Sequence, residues 1–170
     1  MNDLINGPAG VLVAGIGSMC RCDDAIGLII ARKLAPRVSS SIEIREISGE
    51  GSALMELWRG RRTVIVAGAI SSDARTGTIY RFNAGEDEIP SGLFIPPDAF
   101  GLGEAIELGR ALDELPARLL VYGVRGKNFG HGIGLSERVV AAADRVVEYI
   151  LEDLELCTET EPRHHLSGPA

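Results

Sequence analysis

The chain has 170 residues, of which 45% are hydrophobic, so it can bury one substantial core and is short for a second domain. Its net charge is −7 and it has no lysine or arginine block, which argues against nucleic acid as a partner. We expect a cytoplasmic protein without a membrane partner, because the N-terminus lacks a secretion-signal pattern and no segment has the roughly 20 apolar residues of a membrane span.

The first predicted elements are a strand, a loop and a helix. Residues 11–14 form a short apolar run that ends at glycines, which is typical of a strand buried on both faces. Apolar residues then recur at helical spacing over residues 26–34, and Asp23 or Asp24 is placed to cap the start of that helix.

Three more strands and a short helix are predicted next. Residues 42–47 alternate with period two, as in a strand near a sheet edge, and residues 54–58 give one apolar face of a short helix. Residues 63–67 repeat the buried-strand pattern, and residues 77–82 alternate again after a turn-rich segment. The last two strands could form a hairpin.

The second half of the chain begins with a long predicted loop. Residues 83–101 are rich in Pro, Gly and Asp, and loops of this length often carry function. A helix from residue 102 to 112 and a strand over residues 119–124 follow. Residues 139–151 have the clearest helical stripe of the chain, with Ser136 as the natural N-cap.

Alternating strands and helices predict the fold class, because parallel strands need crossover helices. We expect an α/β three-layer sandwich, with a mainly parallel twisted sheet of about five strands and helices on both faces. The expected organisation is an N-terminal extension over residues 1–10, one domain over 11–154, and a flexible tail over 155–170 whose His164 and His165 have no assigned role.

Ligands of open parallel sheets bind beyond the carboxyl ends of the strands. Four loops leave those ends, over residues 15–24, 48–51, 68–73 and 125–136. The long loop over residues 83–101 could join them. Carboxylates in these segments could therefore converge on one site.

Asp23 and Asp24 are the strongest candidates for chemistry within these loops. A helix cap would explain one aspartate. Two adjacent carboxylates repel, so one of them gains from a cation or an added proton, which makes the pair a candidate metal or acid/base site.

Other motifs give weaker signals. Gly15 and Gly17 begin a partial dinucleotide fingerprint, but Cys20 occupies the position of its third glycine. Cys20 and Cys22 form a C-x-C without a second metal-binding pair, and His131 is a single histidine in a Gly-rich segment that is more often solvated than catalytic.

Several motifs together resemble one family. The run GIGSMCRCDDAIGLIIARKL resembles the opening of the hydrogenase maturation proteases, whose pattern is a G-x-G-N loop followed by an acidic pair, a small residue and a glycine. ISGEGSALMELWRG, TVIVAGAI and AFGLGEAIELGRALDELPARLLVYGVRG resemble its later motifs, in order, and the similarity spans residues 11–151.

The resemblance implies an endopeptidase that removes a C-terminal extension from the large-subunit precursor of nickel–iron hydrogenase. Nickel would be supplied by the substrate, and no tightly bound organic cofactor is expected. The three nickel-recognising positions of the family fall on Asp24, Gly68 and Asp98, so only the first keeps its chemistry. Asp98 offers oxygen in place of an imidazole, which would favour harder ions.

The implied site residues follow from the same resemblance. Asp24 is the expected catalytic residue, and Asp24 and Asp98 are the expected metal contacts. Gly17, Gly49 and Glu50, in the first two loops, are the expected substrate contacts.

Two other functions stay open from the sequence. The loss of two of the three ligand positions also fits a degenerate member that binds an immature subunit without cleaving it. A more remote alternative is a small-molecule enzyme that uses Asp23, Asp24 and Glu50 as acid/base groups.

Overall fold

A computed structural model describes residues 10–90, 92–95 and 100–159. The strands, in chain order, are β1 (Val11–Ile16), β2 (Ile42–Ile47), β3 (Thr63–Ile70), β4 (Ile79–Asn83) and β5 (Arg118–Arg125). The α-helices are α1 (Ile26–Leu34), α2 (Gly51–Trp58), α3 (Leu102–Ala111) and α4 (Glu137–Glu159). Short 3-10 turns, Cys22–Ala25 and Ala35–Arg37, flank α1.

The five strands form one sheet in the order β2-β1-β3-β5-β4. β1 pairs in parallel with β2 and β3, and β3 pairs in parallel with β5, whereas β4 is antiparallel to β5. The prediction of a mainly parallel α/β sheet of five strands is therefore confirmed.

The predicted hairpin between the third and fourth strands is wrong. β5 lies between β3 and β4, and Arg81 of β4 is opposite Tyr122 of β5. The physical reason is burial: β5 is apolar and almost entirely buried, so it takes the interior position beside β3. β4 is half-exposed and tolerates the sheet edge.

Alternating strand side chains enter two separate hydrophobic clusters. One set, which includes Leu12, Val64 and Val66, packs with residues of α2 and α3. The other set, which includes Val13 and Ile65, packs with residues of α1 and α4. Both sets alternate because successive strand side chains point to opposite faces of the sheet.

The long loop and the last helix complete the fold. Between β4 and α3, the described residues form no helix or extended strand, and an isolated bridge pairs Ile70 with Phe94. Helix α4 continues to Glu159, beyond Leu154, where the apolar stripe ends. Arg118 Nη1 contacts Cys157 Sγ at 2.9 Å, so the last turns still touch the sheet. No helix within the described ranges is long and apolar enough to cross a membrane.

Candidate functional site

The loop after β1 and the loop after β5 are bound to each other through their main chains. Cys22 N donates to Gly132 O at 3.1 Å, and Gly132 N donates to Cys20 O at 2.9 Å. Asp23 N donates to Asn128 O at 2.9 Å. The loops after β1 and β5 therefore lie together at the carboxyl edge of the sheet.

Asp23 fastens the two loops with its side chain. Its carboxylate is fully buried and accepts hydrogen bonds from Lys127 N, Asn128 N, Ser136 N and Ser136 Oγ, at 2.7 to 3.0 Å. Burial raises the pKa of Asp23, but the hydrogen bonds from Ser136, Asn128 and Lys127 outweigh it and lower the pKa below its ordinary value. Asp23 is thus a positioning residue whose acceptor capacity is already used.

Neither aspartate caps helix α1, so that prediction is wrong. The N-cap of α1 is Ala25, and no side chain makes a cap hydrogen bond there. Both aspartates lie in the preceding 3-10 turn, and the hydrogen bonds of this turn continue directly into α1. Ser136 does precede α4 as predicted, but its hydroxyl donates to Asp23.

Asp24 has the opposite environment to Asp23. Its side chain is only 6% exposed, and burial raises the pKa of this carboxyl group. The charge of Arg21 and a hydrogen bond from the Ser18 main chain lower the pKa only in part. Neighbouring carboxyl groups with pKa values pushed in opposite directions are typical of acid/base and cation sites.

Gly17 lies against Asp24 and could be no other residue. Its φ is 143°, and an added Cβ would lie 1.9 Å from Asp24 O. The structure thus brings Gly17 and Asp24 together, as the two predicted site residues of the first loop.

Gly68 has no room for a side chain. An added Cβ would lie 2.6 Å from Ile16 Cγ1 and 3.0 Å from Ile16 Cδ1. Ile16 is itself buried, at 4% exposure, so an isoleucine fills the space where the family resemblance implies a carboxylate.

A narrow apolar crevice opens beside Ile16. Gly49, Leu93, Phe94 and Leu102 contribute to its lining. Gly49 is near enough that an added Cβ would lie 3.5 Å from Ile16 Cβ. The predicted substrate residue Gly49 therefore borders this crevice, next to the end of β1.

Glu50 immediately precedes α2 and is exposed. Its Oε1 accepts a hydrogen bond from Ser52 Oγ at 3.0 Å. Its place in the site stays a prediction.

Several other candidates fall outside a clustered site. Asp98 lies outside the described residues, and His131 is exposed. Cys20 and Cys22 are free thiols. Among the residues that the structure describes, no three His, Cys, Asp or Glu side chains come together in a way that could hold a metal ion.

Sequence reasoning missed two residues of this region. Arg21 acts on the Asp24 charge and donates from Nε to Phe129 O at 3.3 Å, and Ile16 occupies the space beside Gly68. The only sequence signal for Arg21 was its place within the C-x-C motif. Ile16 had none, since a strand residue with an apolar side chain is expected anywhere in the core.

Comparison with known proteins defines the class. The family model of the hydrogenase maturation proteases matches residues 31–153. The hydrogenase 2 maturation protease of Escherichia coli is 31% identical over 160 residues, which cover 90% of this chain and 96% of that protein. A putative hydrogenase maturation protease of Methanocaldococcus jannaschii is 29% identical over 151 residues, which cover 85% and 96%.

A solved structure agrees with this result. The hydrogenase maturating endopeptidase HybD from E. coli superposes with a TM-score of 0.73 and 26% identity, over 87% of this chain and 93% of that chain. The chain belongs to the hydrogenase maturation protease family, which is a family of endopeptidases.

Proposed function

We propose that this protein is a maturation endopeptidase that removes the C-terminal extension of the large-subunit precursor of a nickel–iron hydrogenase. Asp24 is the residue that contacts the nickel already seated in that substrate. The observation that carries the proposal is the buried Asp24 carboxyl group, with a raised pKa, at the carboxyl edge of the sheet.

The burial of Asp24 gives a physical reason for cation recognition. Its ionised form is poorly solvated, so a cation brought by the substrate would stabilise the carboxylate strongly. Asp23 cannot take this role because its oxygens hold the loop over residues 126–136. Asp23 is therefore the positioning residue in this proposal, and Asp24 is the residue that recognises the cation.

The donor set fits a metal that is carried mainly by the substrate. Gly68 supplies no ligand, and of the two buried carboxyl groups in the first loop Asp24 is the one whose pKa is raised. A single hard oxygen discriminates poorly among divalent ions, so nickel selectivity would reside in the substrate. Asp98 is the proposed second contact, from the segment before α3.

Hydrolysis needs a water molecule to add to the scissile carbonyl, with a proton passing to the departing amine. A carboxylate near the attacking water can accept its proton and pass it to the departing amine, and Asp24 is the residue proposed for this step. Gly17 and Gly49 are the proposed substrate contacts beside it, together with the exposed Glu50 of the second loop.

A second candidate function is a binding protein that recognises the immature subunit without cutting it. The contact between Ile16 and the Gly68 position favours this alternative, because it removes one expected ligand and also fills its space.

The discriminating experiment is the intact mass of a nickel-loaded large-subunit precursor before and after incubation with this protein. Loss of a C-terminal peptide establishes the endopeptidase, and Asp24→Asn should then slow processing by roughly 10²-fold or more, as expected when an acid/base group is lost. Asp144→Asn, an exposed aspartate on α4, is the matched control and should process normally. An unchanged mass with wild-type protein, alongside co-purification of the precursor, would favour the binding protein.

A further inference from the structure

A second groove lies between strand β4 and helix α4. It consists of two adjoining clefts of about 500 Å³ and about 370 Å³, which share Gly77, Thr78 and Arg145. We call it the β4–α4 groove. It is lined by none of the aspartates and glycines assigned above to the candidate site.

One end of the β4–α4 groove is basic. Arg75, Arg138 and Arg145 line the smaller cleft together with Thr76, Thr78 and small residues, and no acidic side chain lines it. Among the described residues, none of these three arginines forms a salt bridge. Three unneutralised guanidinium groups at one place are notable on a chain with a net charge of −7.

The turn that carries Arg75 is held firmly against the start of α4. Gly77 has a φ of 86°, and an added Cβ would lie 2.7 Å from Arg138 O. Gly77 N also donates to Arg125 O at 2.8 Å. Any other residue at position 77 would push the turn away, so the close approach of Arg75 to Arg138 depends on this glycine.

The other end of the groove differs in charge, because the exposed acidic side chain of Glu152 lines it, so the acidic part of a ligand is directed to the basic end. Arg81 Nη2 lies 2.8 Å from Asp153 Oδ1, which neutralises both groups, and Tyr122 donates its hydroxyl hydrogen to Asp153. Ile79 and the half-exposed Tyr149 add apolar surface there.

The length of the groove indicates the kind of ligand. Its lining on α4 runs from Arg138 to Asp153, which at 1.5 Å per residue is about 22 Å. An extended peptide of about six or seven residues covers that distance at roughly 3.3 Å per residue. A phosphate ion or a single carboxylate would occupy only the basic end.

We propose that the β4–α4 groove binds an extended acidic segment of a partner polypeptide, with its carboxylates on Arg75, Arg138 and Arg145 and an apolar side chain over Tyr149. Bidentate pairing of guanidinium and carboxylate gives this contact its geometry. The identity of the partner rests on the proposed function: the segment belongs to the large-subunit precursor, and the groove docks it apart from the scissile bond.

The direct test uses the hexapeptide Glu-Glu-Glu-Glu-Leu-Leu-amide, with fluorescein on its N-terminal nitrogen, in a fluorescence anisotropy titration of the whole protein. Arg138→Glu with Arg145→Glu should weaken binding by roughly tenfold or more, because two charge-assisted contacts are reversed. Arg138→Gln with Arg145→Gln, which keeps side-chain size, should also weaken it. Arg59→Glu with Arg62→Glu reverses two exposed arginines outside the groove; this matched control has the same change in net charge and should bind as wild type does.

Two outcomes would overturn the groove proposal. One is peptide binding that the arginine variants leave unchanged. The other is inorganic phosphate that displaces the peptide at equal concentration, which would indicate a site for small anions.

A second measurement separates this proposal from the proposed function. With the nickel-loaded precursor, the double charge reversal should raise KM and leave kcat unchanged, since the groove contributes binding away from the chemistry. Equal KM for variant and wild type would refute the docking role. Peptide binding with no precursor cleavage by wild-type protein would retain the groove as a peptide site and reject the endopeptidase.

Discussion

Substitutions at Gly68 and Ile16 test why position 68 lacks the carboxylate that the family resemblance implies. Gly68→Ala places a methyl group 2.6 Å from Ile16 Cγ1 in a strand with every residue buried. Overpacking of this kind costs about 1–3 kcal/mol of unfolding free energy. The substitution carries no charge and does not need a positive φ, so the steric contact is isolated.

A double-mutant cycle that also replaces Ile16 measures the interaction energy between the two positions. Ile16→Ala alone should cost about 2–5 kcal/mol through the cavity that it leaves. The double variant should then be more stable than the sum of the two single changes predicts, by about 1–3 kcal/mol, since the new methyl group enters the vacated space.

Urea denaturation at pH 7, followed by circular dichroism, provides the three free energies. Gly103→Ala is the control, because an added Cβ on this helical glycine has nothing within 4 Å. It should stabilise the protein by about 0.5–1 kcal/mol through helix propensity. Strict additivity of Gly68→Ala and Ile16→Ala would refute the claim that Ile16 fills the ligand position.

A functional extension follows from the same geometry. Gly68→Asp combined with Ile16→Ala gives the end of β3 a carboxylate with room to turn, whereas Gly68→Asp alone must displace Ile16. The double variant should bind Ni²⁺ more tightly than wild type in isothermal titration calorimetry. No gain in affinity would count against the lost-ligand explanation.

Three further predictions concern the two aspartates and the tyrosine below the groove. Asp23→Ala should cost about 3 kcal/mol or more, since a hydrogen bond to a charged group contributes about 1.5–3 kcal/mol, and processing should fall as the loop loosens. Because the folded pKa of Asp23 is below its ordinary value of 3.8, its stabilisation is present above pH 3.8 and is lost as the pH falls through the folded value. Between pH 7 and pH 2 the urea midpoint should therefore fall further in wild type than in Asp23→Ala, which retains only the contribution of other carboxyl groups such as Glu43. The pKa of Asp24 is raised, so its charged form opposes folding above pH 3.8. Asp24→Asn should therefore raise the urea midpoint at pH 7, change it little at pH 3, and still slow processing as proposed above. A lower midpoint at pH 7 would contradict the assigned environment. Tyr122→Phe should lower the free energy of unfolding by about 1–3 kcal/mol, because it removes a hydrogen-bond donor from the buried Asp153 carboxylate. Tyr149→Phe, on the exposed face of α4, is the control and should change that free energy by less than about 0.5 kcal/mol. Equal effects of the two substitutions would reject the assigned difference in burial.

Local patterns in the chain were enough for most of the fold. Period-two and apolar runs predicted β2 and β5 within one residue at each end, and the stripe of α4 predicted the longest helix. These patterns depend on neighbouring residues alone. The pairing partner of β4 depends on which strand is most apolar across the whole sheet, so the hairpin prediction was wrong.

The candidate site divides in the same way. The paired aspartates and the absence of a side chain at Gly68 are properties of the sequence, and so is the family resemblance that gave them meaning. Their different roles are not, because Asp23 acquires its hydrogen-bond donors from residues 127–136, more than a hundred positions away. Likewise, only packing of β1 beside β3 places Ile16 against Gly68. Residue types and spacing therefore determined where chemistry could lie, and tertiary contacts decided which carboxylate is held by hydrogen bonds and which one has a raised pKa.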